Sequence, residues 1–209
     1  KYQECNNQDL KEIIKQIYSR QLYGFDIDQS VVNLAKFIFI IKAIELCPSY
    51  LDDDNLVVPN FVCIQTPNIK RSRLHEVNVL IETMKDASLI GSLLRVPNYD
   101  YFTLLQSVTC KEEKEIIELA ILLNMKYDIV ITNPPYMGRK VLPNIILNYL
   151  NNHYKYAKSE LYTAFIERCL DFLVPSGYLA MLTLHTWMFI KSFSSLRKYI
   201  LNNFQIKSL

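Results

Sequence analysis

The chain has 209 residues, enough for a domain with its own core; half of them are apolar and 21% are charged, as in ordinary globular proteins. A formal net charge of +2 gives no polyelectrolyte signal for nucleic acid, although a near-neutral average leaves room for a local basic groove. The most apolar run, VVNLAKFIFIIKAIELC, is interrupted by Lys36, Lys42 and Glu45 and is too broken to span a bilayer. No signal peptide is recognisable, so the expected location is cytoplasmic, and a first residue of Lys1 suggests an excised or incomplete piece. Cys5, Cys47, Cys63, Cys110 and Cys169 are scattered without a C-x-x-C pair, which points to buried reduced thiols. His75, His153 and His185 are equally dispersed, so no metal is expected.

The first clear unit is LYGFDIDQSVVNLAKFIFIIKAIEL. A short strand, Leu22 to Phe25, reaches Asp26, and Asp28 stands at the N-cap of a long helix that stops at Pro48. A polar turn around Asp52 to Asn55 precedes a second strand, Asn60 to Gln65. From about 66 to 124 the pattern is helical, broken by Gly91 and Pro97, and reads as a helical insertion. Its best helix, KEEKEIIELAILLNMK, has Ile116, Ile117, Leu119, Ala120 and Leu123 on one face. The strand YDIVIT follows, and later an amphipathic helix, SELYTAFIERCLDFL, with Ser159 as N-cap and Leu161, Phe165, Cys169 and Phe172 on its apolar face. That helix ends at VPSG; YLAMLTL reads as a buried strand, SSLRKYILNN as a helix and FQIKSL as a last strand. Alternating helices and continuously apolar strands imply an α/β domain, 1–209, with a mostly parallel sheet covered by helices on both faces.

The strand YDIVIT runs into Asn133, Pro134, Pro135 and Tyr136. Proline has a fixed φ and no N–H, and it holds the residue before it extended, so the chain makes a stiff elbow. The C-terminal end of a strand is where open α/β sheets place ligands. The Asn133 amide oxygen and the Pro134 carbonyl are two acceptors that the elbow can aim at one point. They suit a planar exocyclic amine, whose conjugated nitrogen gains nucleophilicity when both its hydrogens are accepted. Tyr136 adds a face for stacking a flat base. The plainer alternative is a rigid turn carrying a surface tyrosine. Asp26, ending a strand, has the position of a carboxylate that receives two ribose hydroxyls, with Gly24 leaving room beside it; GFDID also reads as a capped strand–helix turn. Arg139 and Lys140 suit a phosphate beside a flipped base or are a solvated pair. His185 and Trp187 suit a pocket wall or, for Trp187, the core, and NNHYKYAK mixes basic and aromatic residues as a nucleic-acid loop does, a mixture that compositional bias explains as readily.

Taken in order, YGFDID, YDIVITNPPY, ELYTAFIERCLDFLVPSGYLAMLT and SSLRKYIL resemble the amino-type DNA methyltransferases that modify adenine N6, over roughly two-thirds of the chain. The tail from SELYTAF to HTWMF, the NPPYMG-R-K continuation and the CIQ…GSLLRVPNY stretch are most similar to the methyltransferases of BREX phage-defence systems, and restriction–modification enzymes share most of these motifs. The resemblance implies a Rossmann-like, S-adenosylmethionine-dependent fold whose first strand is missing from this piece. It implies Asp26 on the donor's ribose, Asn133 and Pro134 on the adenine N6 hydrogens, and Tyr136 stacked on an adenine flipped from double-stranded DNA. Other phage-defence subunits are implied partners. The family's Gly-rich donor loop is absent, since Gly24, Gly91, Gly138 and Gly177 are the only glycines and none are close together. Gln65 stands where members carry the acid that reads the donor's adenine. Two alternatives remain: methylation of another planar amine, such as an RNA base or protein glutamine, and a non-catalytic DNA-binding subunit of the same fold.

Overall fold

The computed structural model describes residues 7–52, 55–156 and 160–209. The expected N-cap Ser159, Cys5 and part of the turn around Asp52 to Asn55 lie outside the described residues. Contacts divide the chain into two compact units, Lys1–Thr66 and Pro67–Leu209.

The first unit is a parallel β–α–β element preceded by a helix. Helix α1 (Asn7–Arg20) was not expected, although Leu10, Ile13, Ile14, Ile17 and Tyr18 carry helical spacing. Strand β1 (Tyr23–Asp26), helix α2 (Gln29–Leu46), a 3-10 turn (Pro48–Asp52) and strand β2 (Asn60–Cys63) follow. Asp28 caps α2 as expected, accepting from the Ser30 N–H at 2.8 Å. The two strands pair in parallel, with Tyr23 opposite Asn60 and Asp26 opposite Cys63. Ile14, Tyr18, Ala43, Cys47 and Tyr50 form the core. The Asn60 amide donates to the carbonyls of Tyr18 and Ser19 at 3.1 and 2.9 Å, satisfying carbonyls at the end of α1 that the helix itself cannot. In α2 only Val32 and Ala43 are fully buried, and Leu34, Phe37 and Ile38 are exposed.

In the second unit the stretch expected to be helical contains α3 (His75–Thr83), α4 (Ala87–Ile90), α5 (Tyr101–Ser107) and α6 (Lys111–Asn124). The five residues assigned to the apolar face of α6 are its five buried residues. Strand β3 (Tyr127–Thr132) leads to α7 (Asn144–His153), α8 (Leu161–Asp171), β4 (Leu173–Met181) and α9 (Ser194–Asn203). Of the stretch NNHYKYAK, residues 151–153 close helix α7, Tyr154 is buried, Tyr156 stacks on Tyr199 at 4.4 Å, and residues 157 and 158 lie outside the described residues. Trp187 packs in a core with Tyr162, Ile166, Leu170, Phe193, Leu196 and Ile200. His185 is exposed, edge-on to Phe189.

Strands β3 and β4 are parallel neighbours, with Tyr127 opposite Leu173 and Ile129 opposite Tyr178. VPSG was expected to end the helix before the strand; it lies inside β4 as a bulge that takes up the uneven register. Pro175 has no N–H for a ladder, and Ser176 turns to φ 68. Glycine follows, where a Cβ would crowd the carbonyl oxygens of Asp128, Val174 and Tyr127 at 3.0–3.2 Å. The expected strand FQIKSL is irregular: Phe204 caps α9, and no ladder partner meets residues 204–209 among the described residues. The fold is thus mixed α/β, with two two-stranded parallel sheets among the described residues. Ile129 and Ile131, on one face of β3, are 63% and 77% exposed.

Helix α8 was expected to be amphipathic, but it is buried nearly all round, including Glu167 and Arg168. The Arg168 guanidinium donates to the carbonyls of Ser92 (3.0 Å), Leu94 (2.8 Å) and Leu123 (2.8 Å) and lies 3.9 Å from the centre of the Phe172 ring. Leu123 is in the last turn of α6, where carbonyls lack intrahelical partners and a cation is favoured. Burial nevertheless pulls the Arg168 pKa down. The Glu167 carboxylate accepts the backbone N–H groups of Lys155 and Tyr156 at 3.2 and 3.0 Å, and burial pushes its pKa up. Arg95 pairs with Asp171 and approaches Glu167 to 3.8 Å.

Cys47 and Cys169 are buried, and burial pushes the Cys169 thiol up to about 12. Cys63 and Cys110 depart from the expectation of buried thiols: Cys63 is half-buried, and Cys110 is exposed at the start of α6 and donates to Glu112 at 2.8 Å.

Replacing Arg168 with methionine orphans three carbonyls, and a buried polar group left unpaired costs about 1–3 kcal/mol. Urea unfolding of the full-length protein is expected to show a loss of about 3 kcal/mol or more for Arg168→Met. Arg168→Lys recovers only part, because one ammonium cannot reproduce the planar fork that reaches all three.

Candidate active site

The elbow begins where β3 ends. The Leu182 N–H donates to the Thr132 carbonyl at 3.2 Å, so the end of β4 holds the end of β3 just before Asn133. Pro134 is buried while Asn133, Pro135 and Tyr136 are exposed, so one proline anchors the turn and its neighbours face outward. The Tyr136 hydroxyl reaches the Leu182 carbonyl at 2.8 Å and the Asn133 Oδ1 at 3.1 Å. Its ring meets Tyr162 of α8 at 6.2 Å with an interplanar angle of 60° and is 45% exposed, leaving ring surface open to solvent. The Tyr162 hydroxyl is in turn 2.9 Å from Thr186 Oγ1.

Beyond Tyr136 the chain is tied to the start of α8. The Leu161 N–H donates to the Met137 carbonyl at 3.1 Å, and Gly138 bridges Glu160 in antiparallel fashion. The Val141 N–H closes a turn on the Gly138 carbonyl at 3.0 Å, with Arg139 and Lys140 exposed in it. The elbow is therefore held on both sides by backbone bonds and underneath by an aromatic ring.

Such an arrangement presents acceptors. Among the described residues no hydrogen bond to the Pro134 carbonyl is present, and the Asn133 amide oxygen has only the shared tyrosine hydroxyl. The Leu182 carbonyl and the Tyr162–Thr186 pair escaped the sequence reading. A backbone carbonyl has no residue-type signature, and Tyr162 looked like an ordinary position on α8.

Asp26, Gly24 and Gln65 belong to the first unit. Asp26 ends β1; its Oδ1 accepts the Asp28 N–H at 2.9 Å, and its backbone carbonyl accepts the Ile64 N–H at 2.7 Å. Gln65 is exposed at the corresponding end of β2, with its amide 3.6 Å from the Cys63 sulfur. The space beside Gly24 is already filled, because a Cβ there would lie 2.7 Å from the Phe61 ring. That ring is fixed edge-on to Phe39 at 5.1 Å. Among the described residues, no three His, Cys, Asp or Glu side chains cluster as metal ligands, and no helix is long and apolar enough to cross a membrane.

Residues 20–209 match the Eco57I restriction-modification methylase family, and the chain belongs to it. It is 37% identical to the adenine-specific methyltransferase PglX of Lacticaseibacillus casei (strain Zhang) over 42% of this chain and 7% of that protein. Similarity to the adenine-specific methyltransferase BrxX of Escherichia coli O9:H4 (strain HS) is 22% over 92% of this chain and 20% of BrxX. The type II restriction enzyme and methyltransferase RM.Eco57I of Escherichia coli is 23% identical over 95% of this chain and 17% of its own length. The chain thus spans between 7% and 20% of the length of these curated relatives.

Close approach of β1 to the Phe61 ring makes Gly24 a packing position. Gly24→Ala is expected to lower stability by about 1–3 kcal/mol through overpacking. A second change, Phe61→Leu, should recover part of that loss in a double-mutant thermal-unfolding series; additive losses would show that the ring is not the obstacle.

Proposed function

We propose that this chain is the catalytic region of an adenine-N6 DNA methyltransferase of the Rossmann-like, S-adenosylmethionine-dependent type, acting in a restriction–modification or phage-defence system. The observation that carries the reading is the elbow: an anchored Pro134 beside the outward-facing acceptors of Asn133 and Pro134 and a half-exposed Tyr136 ring. Membership of the methylase family and similarity to adenine-specific methyltransferases support it. The bare apolar face at Ile129 and Ile131 supports a larger sheet, covered by further elements.

S-adenosylmethionine supplies an electrophilic sulfonium methyl. The Asp26 carboxylate fits its ribose, because only one of its oxygens is engaged, by the Asp28 N–H, and the other can accept hydroxyls. Gln65, exposed beside it, suits the donor's adenine with an amide in place of an acid. The fit is incomplete at Gly24, where Phe61 takes the space, so Gly24 serves β1–β2 packing more than the donor.

At the substrate, Asn133 Oδ1 and the Pro134 carbonyl accept the two N6 hydrogens of a flipped adenine. This favours a pyramidal nitrogen with its lone pair available, and it stabilises the positive charge that builds as the nitrogen attacks. Tyr136 stacks on the extruded base, Pro135 stiffens the turn against it, and Arg139 and Lys140 reach the flanking phosphates. No strong base is needed, because the alkylated ammonium loses its proton readily to water. The substrate is double-stranded DNA, and other subunits of the defence system are the natural partners.

In the full-length enzyme, Asn133→Ala is expected to lower formation of N6-methyladenine by about 100-fold or more, the scale seen when one charge-stabilising group is removed from an active site. Donor affinity should be nearly unchanged. Mass spectrometry of hydrolysed substrate DNA and calorimetric titration with the donor read the two quantities, and near-normal methylation by the variant would sink the mechanism. Asp26→Ala should do the opposite, weakening donor affinity by about 10- to 100-fold, as expected for lost hydrogen bonds to a charged group. Unchanged donor binding would remove Asp26 from the site.

A further inference from the structure

Stacking uses the ring of Tyr136 and leaves its hydroxyl unexplained. That hydroxyl carries one hydrogen and lies within bonding distance of two oxygens, the Leu182 carbonyl at 2.8 Å and Asn133 Oδ1 at 3.1 Å. One proton cannot serve both at full strength. The shorter contact is to a fixed acceptor, since the Leu182 N–H is itself bonded to the Thr132 carbonyl at 3.2 Å. The longer contact is to an exposed amide at the end of a rotatable side chain. Half a turn of that amide exchanges its oxygen for an NH2 group at nearly the same position.

Moving the hydroxyl proton wholly onto Leu182 leaves only lone pairs facing Asn133. An oxygen held 3.1 Å away is then repelled, whereas an N–H in its place donates a hydrogen bond. With Nδ2 on the tyrosine hydroxyl, Oδ1 turns away from it and is freed to accept from elsewhere. In the other arrangement the shared proton occupies Oδ1 and weakens it as an acceptor.

We propose that the Tyr136 hydroxyl is a positioning group: with its proton committed to the Leu182 carbonyl, it holds the Asn133 amide by Nδ2 and presents Oδ1 to the substrate amine. In the observed arrangement the same acceptor is masked by the shared proton, so arrival of a two-hydrogen donor is coupled to a turn of the amide. This assignment rests on Asn133 being the amine acceptor, and it concerns the hydroxyl alone. The tyrosine ring and its contact with Tyr162 are independent of it.

Four full-length enzymes test it: wild type, Tyr136→Phe, Asn133→Asp and the double variant, assayed in steady state on DNA with S-adenosylmethionine. Tyr136→Phe keeps the ring, so KM for DNA should stay within about twofold, while kcat falls about tenfold, the rate equivalent of one lost hydrogen bond. A carboxylate in place of Asn133 has no amide to orient, so Phe in that background should leave kcat unchanged or raise it. An equal loss of kcat in both backgrounds would make the hydroxyl a mere strap on Leu182 and overturn the proposal, as would an unchanged kcat in Tyr136→Phe alone. If Asn133→Asp proves inactive, the single variant decides: a fall in kcat at constant KM supports the proposal, and a rise in KM alone refutes it. Absence of N6-methyladenine with the wild type would instead fail the methyltransferase reading itself, a separate and recognisable result.

Discussion

Burying the ionic residues of α8 sets the terms for the second unit. Arg168 brings a guanidinium out of water and is compensated by three carbonyls, drawn from residues 92–94 and from the end of α6, and by the face of Phe172. Removing a charge from water without such partners is prohibitive, so the helix is tolerated in the interior only in the one placement that supplies them. Glu167, one residue earlier, fastens the backbone at Lys155 and Tyr156. These bonds, together with the packing of Tyr162, Ile166 and Leu170 in the core, fix where α8 sits in the second unit.

The site inherits that placement. The first turn of α8 offers the Leu161 N–H to Met137 and the Tyr162 ring to Tyr136. The strand after α8 returns in parallel and delivers Leu182, whose N–H holds Thr132 and whose carbonyl holds Tyr136. The proline elbow is stiff by itself, but stiffness gives a shape, not a location. Location comes from these contacts, most of them made by backbone N–H and carbonyl groups. Acceptors fixed in place before charge develops can activate a weakly nucleophilic amine without a strong base.

The Gly24 and VPSG positions show how one residue type supports different readings. Small residues near a strand end suggest room for a ligand, yet at Gly24 the room is taken by Phe61, and at Gly177 by three backbone carbonyls. In both places glycine answers to packing. VPSG looked like a helix terminator because proline and glycine end helices; a bulge inside a strand has the same local needs, and only the register against β3 separates the two.

Local rules carried far in this chain. The Asp28 cap, the buried face of α6, the existence and end of β3, and the Asn-Pro-Pro-Tyr elbow are legible because each depends on neighbours within a few residues: a side-chain cap, helical period, a short apolar run and the fixed φ of proline. What tertiary structure decided involves partners distant in sequence. Arg168 meets Ser92 and Leu94 across more than seventy residues, and Tyr136 meets Leu182 across 46. The apolar pattern of FQIKSL resembled a strand, but a strand exists only where another chain segment pairs with it. The amino-acid sequence therefore determined which groups the elbow would offer. Tertiary structure alone decided where those groups point, because what holds them comes from residues distant in sequence, largely backbone N–H and carbonyl groups that carry no residue-type signature and meet the elbow only once the chain has folded.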